Sequence, residues 1–253
     1  MFETKLSILL VLIKVRIIAM NIKNLKYKYP RGKDFVLKDV TFSLHPNKLN
    51  AIVGVNGSGK TTMFDCITNV LKPESGEINI PHVEDILYVT QSLFFSPVIK
   101  GRDFANFVKR IDNKTIVKET GYYTEKMSQR EKDLFEHLWE LRIGKMSIGE
   151  RRWFFTHLLI MIDRSIYIFD EPTSGVDPAS RKKIHKLIGN LIQEGKTCII
   201  STHQLQDLMY LDCHLIILNK GKITYEGDFK EWLHINNSNN PDEAFENMLI
   251  SNM

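Results

Sequence analysis

The chain has 253 residues, 43% hydrophobic and 25% charged, with a formal net charge of +4. Such a chain can bury a full core, as one large domain or one domain with an inserted lobe. The small charge and the lack of any long basic run argue against a nucleic-acid partner. Cys66, Cys198 and Cys213 are odd in number and fit no C-x-x-C spacing, so neither a disulfide framework nor a zinc site is expected. Each reads as a small buried hydrophobe in a reducing cytosol.

In chain order, residues 6–19 are apolar but broken by Lys14 and Arg16. The longest uncharged stretch there, residues 6–13, falls far short of the ~20 residues that span a bilayer. No clear small-residue cleavage site marks it as a secretory signal. Residues 1–19 therefore read as an extension upstream of a translation start at Met20, with a membrane-surface segment as the alternative. Two alternating apolar runs follow, residues 22–27 and 35–44, joined by a Tyr29-Pro30-Arg31-Gly32 turn, an antiparallel hairpin-like unit. Residues 49–53 form a buried strand, 63–71 a helix, and 76–80 and 86–90 two short strands around Pro81.

From residue 92 to 145 glycine is sparse and 3.6-residue periodicity dominates, notably over 100–111 and 124–141. A helical lobe over about residues 92–162 is expected, closing with a helix over 148–162. Residues 166–169 and 197–201 read as buried strands, and 178–193 as a basic amphipathic helix with Pro178 at its start and Gly195 past its end. Residues 215–218 and 222–225 flank Asn219-Lys220-Gly221, a hairpin signal. Asn-rich residues 236–240 form a linker before a short helix over 241–249. The alternation implies an α/β fold with an open, mostly parallel sheet, and a nucleotide at the carboxyl ends of its strands.

The stretch that organises the rest is Gly54-Val55-Asn56-Gly57-Ser58-Gly59-Lys60-Thr61-Thr62, between a strand and a helix. It fits G-x-x-x-x-G-K-[ST], in which glycines let successive N–H groups curl around phosphate oxygens. The opening helix turns its positive end to the same anion. Lys60 is expected to reach the β- and γ-phosphates, Thr61 to hold Mg²⁺, and Thr62 to donate on the α-phosphate side. A second constellation closes the strand at 166–169, where Asp170 and Glu171 follow a continuous apolar run. Charges at such an exit face solvent, a partner or a metal. Next to a phosphate loop, Asp170 suits the metal side, through bound water, and Glu171 the base that activates the attacking water.

With these residues in order, the chain from Met20 to about Gly227 resembles the nucleotide-binding subunit of ABC transporters. The resemblance implies a P-loop fold of the ABC type, with an antiparallel β subdomain and an inserted helical subdomain. The ATPase domain so implied spans residues 20–235, leaving 236–253 as linker and short helix. Gln91 in Tyr88-Val89-Thr90-Gln91 resembles the Q-loop, and Met146-Ser147-Ile148-Gly149-Glu150 occupies the signature position. Asp170-Glu171-Pro172-Thr173-Ser174-Gly175-Val176-Asp177 resembles the acidic strand end with its D-loop, and Ser201-Thr202-His203 the switch-histidine segment. Tyr29 lies where the family places an adenine-stacking aromatic, with Tyr27 as its rival. The implied roles are a Mg²⁺ ligand for Gln91 and a γ-phosphate contact that positions Glu171 for His203.

The signature departs from the usual L-S-G-G-Q. Ser147 and Gly149, which the resemblance aims at the γ-phosphate of an opposite subunit, are kept. Ile148 replaces a glycine and Glu150 a glutamine, so slow hydrolysis is expected, unchanged or raised by Ile148→Gly. The resemblance implies a head-to-tail homodimer that closes on two ATP molecules, with a separately encoded transmembrane permease as further partner. It places the subunit in the cytoplasm on the inner face of the cell membrane. Leu93-Phe94-Phe95 is either a docking patch for that partner or core of the helical lobe. Compact size gives export a slight preference. A soluble ABC-type ATPase in cofactor assembly or a nucleic-acid complex is the alternative, and an unrelated P-loop kinase a more distant one.

Overall fold

A computed structural model describes residues 20–111, 124–125 and 127–251; the expectation for residues 1–19 lies outside them. Strands β1 (Met20–Tyr27), β2 (Leu37–Leu44) and β4 (Ser75–Asn79) form an antiparallel sheet in the order β2-β1-β4. The turn after β1 closes through Gly32 N donating to Tyr29 O at 2.8 Å. The second sheet contains β3 (Leu49–Val53), β5 (Ile86–Val89), β6 (Ile166–Asp170), β7 (Thr197–Thr202), β8 (Cys213–Asn219) and β9 (Lys222–Asp228). Its order is β5-β6-β7-β3-β8-β9, parallel throughout except for the β8–β9 hairpin.

The central strands are buried on both faces, which is why they read as continuous apolar runs. Alternation along β6 sends Tyr167 and Phe169 to one core and Ile166 and Ile168 to the other. The second of these cores joins the small sheet to the large one, bringing Ile22, Val40 and Phe42 onto Ile52, Ile199 and Ile216.

Helix α1 (Lys60–Ile67) leaves β3 through the glycine-rich loop. It begins three residues before the sequence-predicted start and ends earlier, because Gly59 at φ 111° sets its N-terminus and Asn69 at φ 61° turns the chain beyond its end. Among the described residues, three α-helices lie between β5 and β6 in the chain: α2 (Gly101–Ile111), α3 (Gln129–Glu140) and α4 (Ile148–Leu159). Within the stretch predicted over 124–141, α3 starts only at Gln129, where Ser128 and Glu131 form a capping box. Phe104, Phe135, Phe154 and Phe155 are buried where these helices pack together.

Helix α5 (Pro178–Gln193) has the predicted bounds, with Asp177 as N-cap accepting from Ser180 N and Pro178 at the first position. A seven-residue helix, α6 (Phe229–Ile235), is missing from the sequence reading; Asp228 caps it by accepting from Lys230 N and Glu231 N. The last helix, α7 (Pro241–Ser251), buries Ala244 and Phe245 in the larger core. No helix among the described residues is long and apolar enough to cross a membrane.

Candidate nucleotide site

Sheet order makes the site. Strand β7 lies between β3 and β6, so the carboxyl ends of three parallel neighbours carry the phosphate loop, the acid pair and His203 side by side. Gly57 and Gly59, at φ 81° and 111°, occupy the left-handed region that suits glycine. Gly54 is required for space, since a Cβ there would stand 2.3 Å from Leu218 O and 2.6 Å from Ser58 Oγ. Ser58 is buried, and its N–H donates to Val55 O at 3.1 Å.

Lys60 Nζ donates to Gly54 O at 2.7 Å and lies 3.3 Å from Glu171 Oε1, both side chains only 7% exposed. A buried ammonium and carboxylate are tolerable because they face each other. The other carboxylate oxygen of Glu171, Oε2, is 2.7 Å from His203 Nδ1. Glu171 itself adopts φ 49°, a rare conformation for a non-glycine residue and one that clusters at functional sites. Its N–H donates to Ser201 Oγ at 2.8 Å, and Ser201 Oγ donates in turn to Asp170 Oδ1. Thr61 Oγ1 donates to Asp170 Oδ2 at 2.7 Å. Burial, with Asp170 nearby, raises the pKa of Asp65 above the usual carboxylate value.

A cleft of about 390 Å³ opens over this array, lined among others by Tyr29, Asn56, Lys60, Gln91, Asp170 and Glu171. Tyr29 is 43% exposed, and its OH lies 3.1 Å from Thr62 Oγ1. Tyr27 is buried and meets Tyr29 edge-on at 5.1 Å, so Tyr29 is the ring that borders the cleft. The main-chain carbonyl of Gln91 accepts from Arg152 Nη1 at 2.6 Å, joining the cleft edge to α4. A hydroxyl, a carboxylate and a carboxamide (Thr61, Asp170 and Gln91) on one cleft form the hard-oxygen donor set that fits Mg²⁺, which takes few protein ligands and keeps phosphate and water for the rest.

Ser147, Gly149 and Asp177 do not line this cleft. Ser147 is exposed as the N-cap of α4, its hydroxyl accepting from Glu150 N at 3.2 Å while Glu150 Oε2 accepts from Ser147 N at 2.8 Å. The Glu150 carboxylate is thus folded back into a capping box. Ile148 is 56% exposed and faces a separate groove of about 210 Å³ with Phe94, Arg151 and Arg152. The Leu93-Phe94-Phe95 stretch divides: Leu93 and Phe95 pack on the core, while Phe94 is 90% exposed. A larger cavity of about 440 Å³, lined in part by Trp153, Tyr167 and Lys186, contains none of the phosphate-loop residues.

Residues 37–174 match the protein family described as ABC transporter. The chain belongs to the ABC transporter family. It is an ATP-binding subunit of an ABC-type transporter, and ATP hydrolysis is its activity. Among its relatives, the energy-coupling factor transporter ATP-binding protein EcfA of Methanosphaera stadtmanae is 28% identical over 83% of this chain and 79% of that protein. EcfA2 of Ligilactobacillus salivarius is 28% identical over 90% of this chain and 88% of its own length. A solved ATP-binding subunit of an ABC transporter superposes with a TM-score of 0.74 at 20% identity, covering 91% of this chain and 99% of that one. A nucleotide-free ATP-binding cassette gives 0.70 at 20% identity, over 90% and 98%. These two likenesses show the fold.

Ser201, Arg152 and Asp207 were not singled out as site residues from the sequence. Ser201 belongs to the Ser201-Thr202-His203 segment read from the sequence, but its place beside Asp170 depends on the pairing of β6 and β7, which that segment does not record.

Proposed function

We propose that this chain binds Mg·ATP in the cleft over Lys60 and Thr61 and hydrolyses it with Glu171 as general base, powering a separate transmembrane subunit. The single observation that supports this most is the buried Lys60–Glu171–His203 array at the ends of three parallel strands. In this reading Tyr29 stacks on adenine, and the amides of residues 54–62 cup the phosphates. Lys60 exchanges Gly54 O and Glu171 for phosphate oxygens. The freed carboxylate of Glu171 accepts the proton of the attacking water, held in place by His203. Thr61, Asp170 and Gln91 would hold Mg²⁺, which when bound neutralises charge on the terminal phosphates.

Residues 20–235 act as the ATPase domain with a helical lobe over about 92–162. Two copies close head to tail, each supplying Ser147, Gly149 and Asp177 to the other's nucleotide, at the end of α4 that its own cleft does not use. Phe94 and the groove beside Gln91 receive the membrane subunit, which places the chain on the inner face of the membrane. Compact size favours export, whereas relatives are named for energy-coupling factor transporters; flux in reconstituted vesicles decides the direction.

Glu171→Gln tests the assignment of the base. The expected result is ATP hydrolysis reduced by ~10² or more, with ATP retained and a dimer on size-exclusion chromatography. A wild-type rate in that variant refutes the assignment. Copurification of soluble proteins alone, with no membrane subunit, would favour the soluble ATPase reading.

A further inference from the structure

We infer that Asp207 is a positioning residue that ties the loop after Glu171 to the segment after His203, so that the base and the histidine keep one relative geometry. The inference rests on the reading of Glu171 and His203 as the hydrolytic pair.

Within the sheet the two chains are held in register, Asp170 beside Ser201, by the parallel pairing of β6 and β7. That restraint ends where the chemistry begins. Residues 171–177 leave the sheet toward α5, while the chain after His203 enters the 3-10 helix Leu205–Tyr210. His203 is 39% exposed at its side chain, so core packing does not fix its ring. Glu171 sits at φ 49°, a conformation that persists only where its surroundings enforce it. Both groups therefore depend on what anchors the backbone beyond them.

Asp207 supplies such an anchor on both sides. It is 8% exposed, on the 3-10 helix four residues after His203, and its N–H donates to Gln204 O at 3.3 Å. Its carboxylate crosses to the other loop. Oδ2 accepts from Thr173 Oγ1 at 3.2 Å, two residues after Glu171, and Oδ1 accepts from Arg181 Nη1 at 2.9 Å. Arg181 in turn reaches Val176 O at 3.4 Å, and His185 Nε2 stands 3.7 Å from Oδ2. A carboxylate this deep is tolerated because polar partners surround it, and each of those partners belongs to the stretch that follows Glu171. One side chain thus clamps the continuation of β6 onto the continuation of β7, within four residues along the chain of the Glu171 and His203 groups that meet at 2.7 Å.

The test measures kcat for ATP and the affinity for a fluorescent ATP analogue in purified full-length chain. Asp207→Ala should lower kcat between tenfold and a hundredfold, roughly the effect of a ~1 Å misplacement of a reacting group, with analogue affinity within about twofold of wild type. In a His203→Ala background the same change should cost less than about twofold more, because its target is already gone. Unchanged kcat, a full additional loss in that background, or a parallel loss of affinity would each overturn the inference. Where Asp207→Ala does not fold, Thr173→Val removes one tie and leaves the Arg181 pair in place. A kcat loss of about threefold at constant affinity then supports the inference, and an unchanged kcat overturns it. If Glu171→Gln still hydrolyses ATP at the wild-type rate, the assignment of the base fails; if it abolishes hydrolysis while Asp207→Ala leaves kcat unchanged, only the clamp fails.

Discussion

Gly149→Ala tests how the signature helix is seated. Gly149 is buried at the start of α4, where that helix meets the N-terminus of α5. A Cβ there would stand 2.4 Å from Asp177 Oδ2, 2.5 Å from Ser180 Oγ and 2.8 Å from Ser180 Cβ. The carboxylate can swing aside, but Asp177 is the N-cap of α5, with Oδ1 accepting from Ser180 N at 3.0 Å, and moving it forfeits ~1 kcal/mol of capping. Ser180 Cβ is fixed to the helix backbone, so the two helix starts must part by about half an ångström or more, an overpacking cost of ~1–3 kcal/mol. For a chain of this size, a loss of ~2 kcal/mol lowers Tm by ~4–8 °C. The assay is a thermal melt without nucleotide, alongside binding of an ATP analogue to the monomeric chain, which should be unchanged because Gly149 does not line that chain's own cleft. Ser180→Gly removes two of the three close contacts, so the double variant should lose less than the sum of the single losses. A Gly149→Ala melt within about 1 °C of wild type would refute the packing argument.

Ile148→Gly should cost ~1 kcal/mol of stability, from lost partial burial and helix propensity, and leave ATP hydrolysis unchanged or raised, since the side chain faces the groove beside Phe94. A tenfold loss would make the isoleucine an adaptation of the nucleotide site. Cys66, Cys198 and Cys213 should resist a thiol reagent at pH 8 in the native chain and react in urea, because burial pushes their thiols up to about 11, 12 and 12; labelling without denaturant would contradict their burial. His214 stacks on His45 at 4.0 Å and lies 3.3 Å from Glu226. Burial, then His45, holds its pKa below 6.5, although Glu226 opposes them. The native state therefore binds fewer protons than the unfolded chain, so stability is full above pH 6.5 and declines as pH falls below it. Melts from pH 7.5 to 5.5 should show that decline, and His214→Gln should flatten it; an equal slope in the variant would locate the effect elsewhere.

What the residues alone determined was local. The phosphate loop is legible because a tight anion-binding turn needs glycine at fixed places between a strand and a helix. Helix α5 is legible because Pro178 and Gly195 bracket a 3.6-residue period. The central strands are legible because burial on both faces leaves a continuous apolar run. Boundaries shifted where a cap decided them, at Gly59 and Ser128, and the short α6 was hidden by having only two buried residues, Phe229 and Trp232.

The tertiary structure decided what meets what. Lys60 and Glu171 are 111 positions apart in the chain, yet they form an ion pair because β7 inserts between β3 and β6. Strand order and register arise from the packing of whole faces, and no short window of residues records them. For the same reason the supporting contacts of Ser201, Arg152 and Asp207, and the packing that requires glycine at 149, became visible only once distant segments stood side by side.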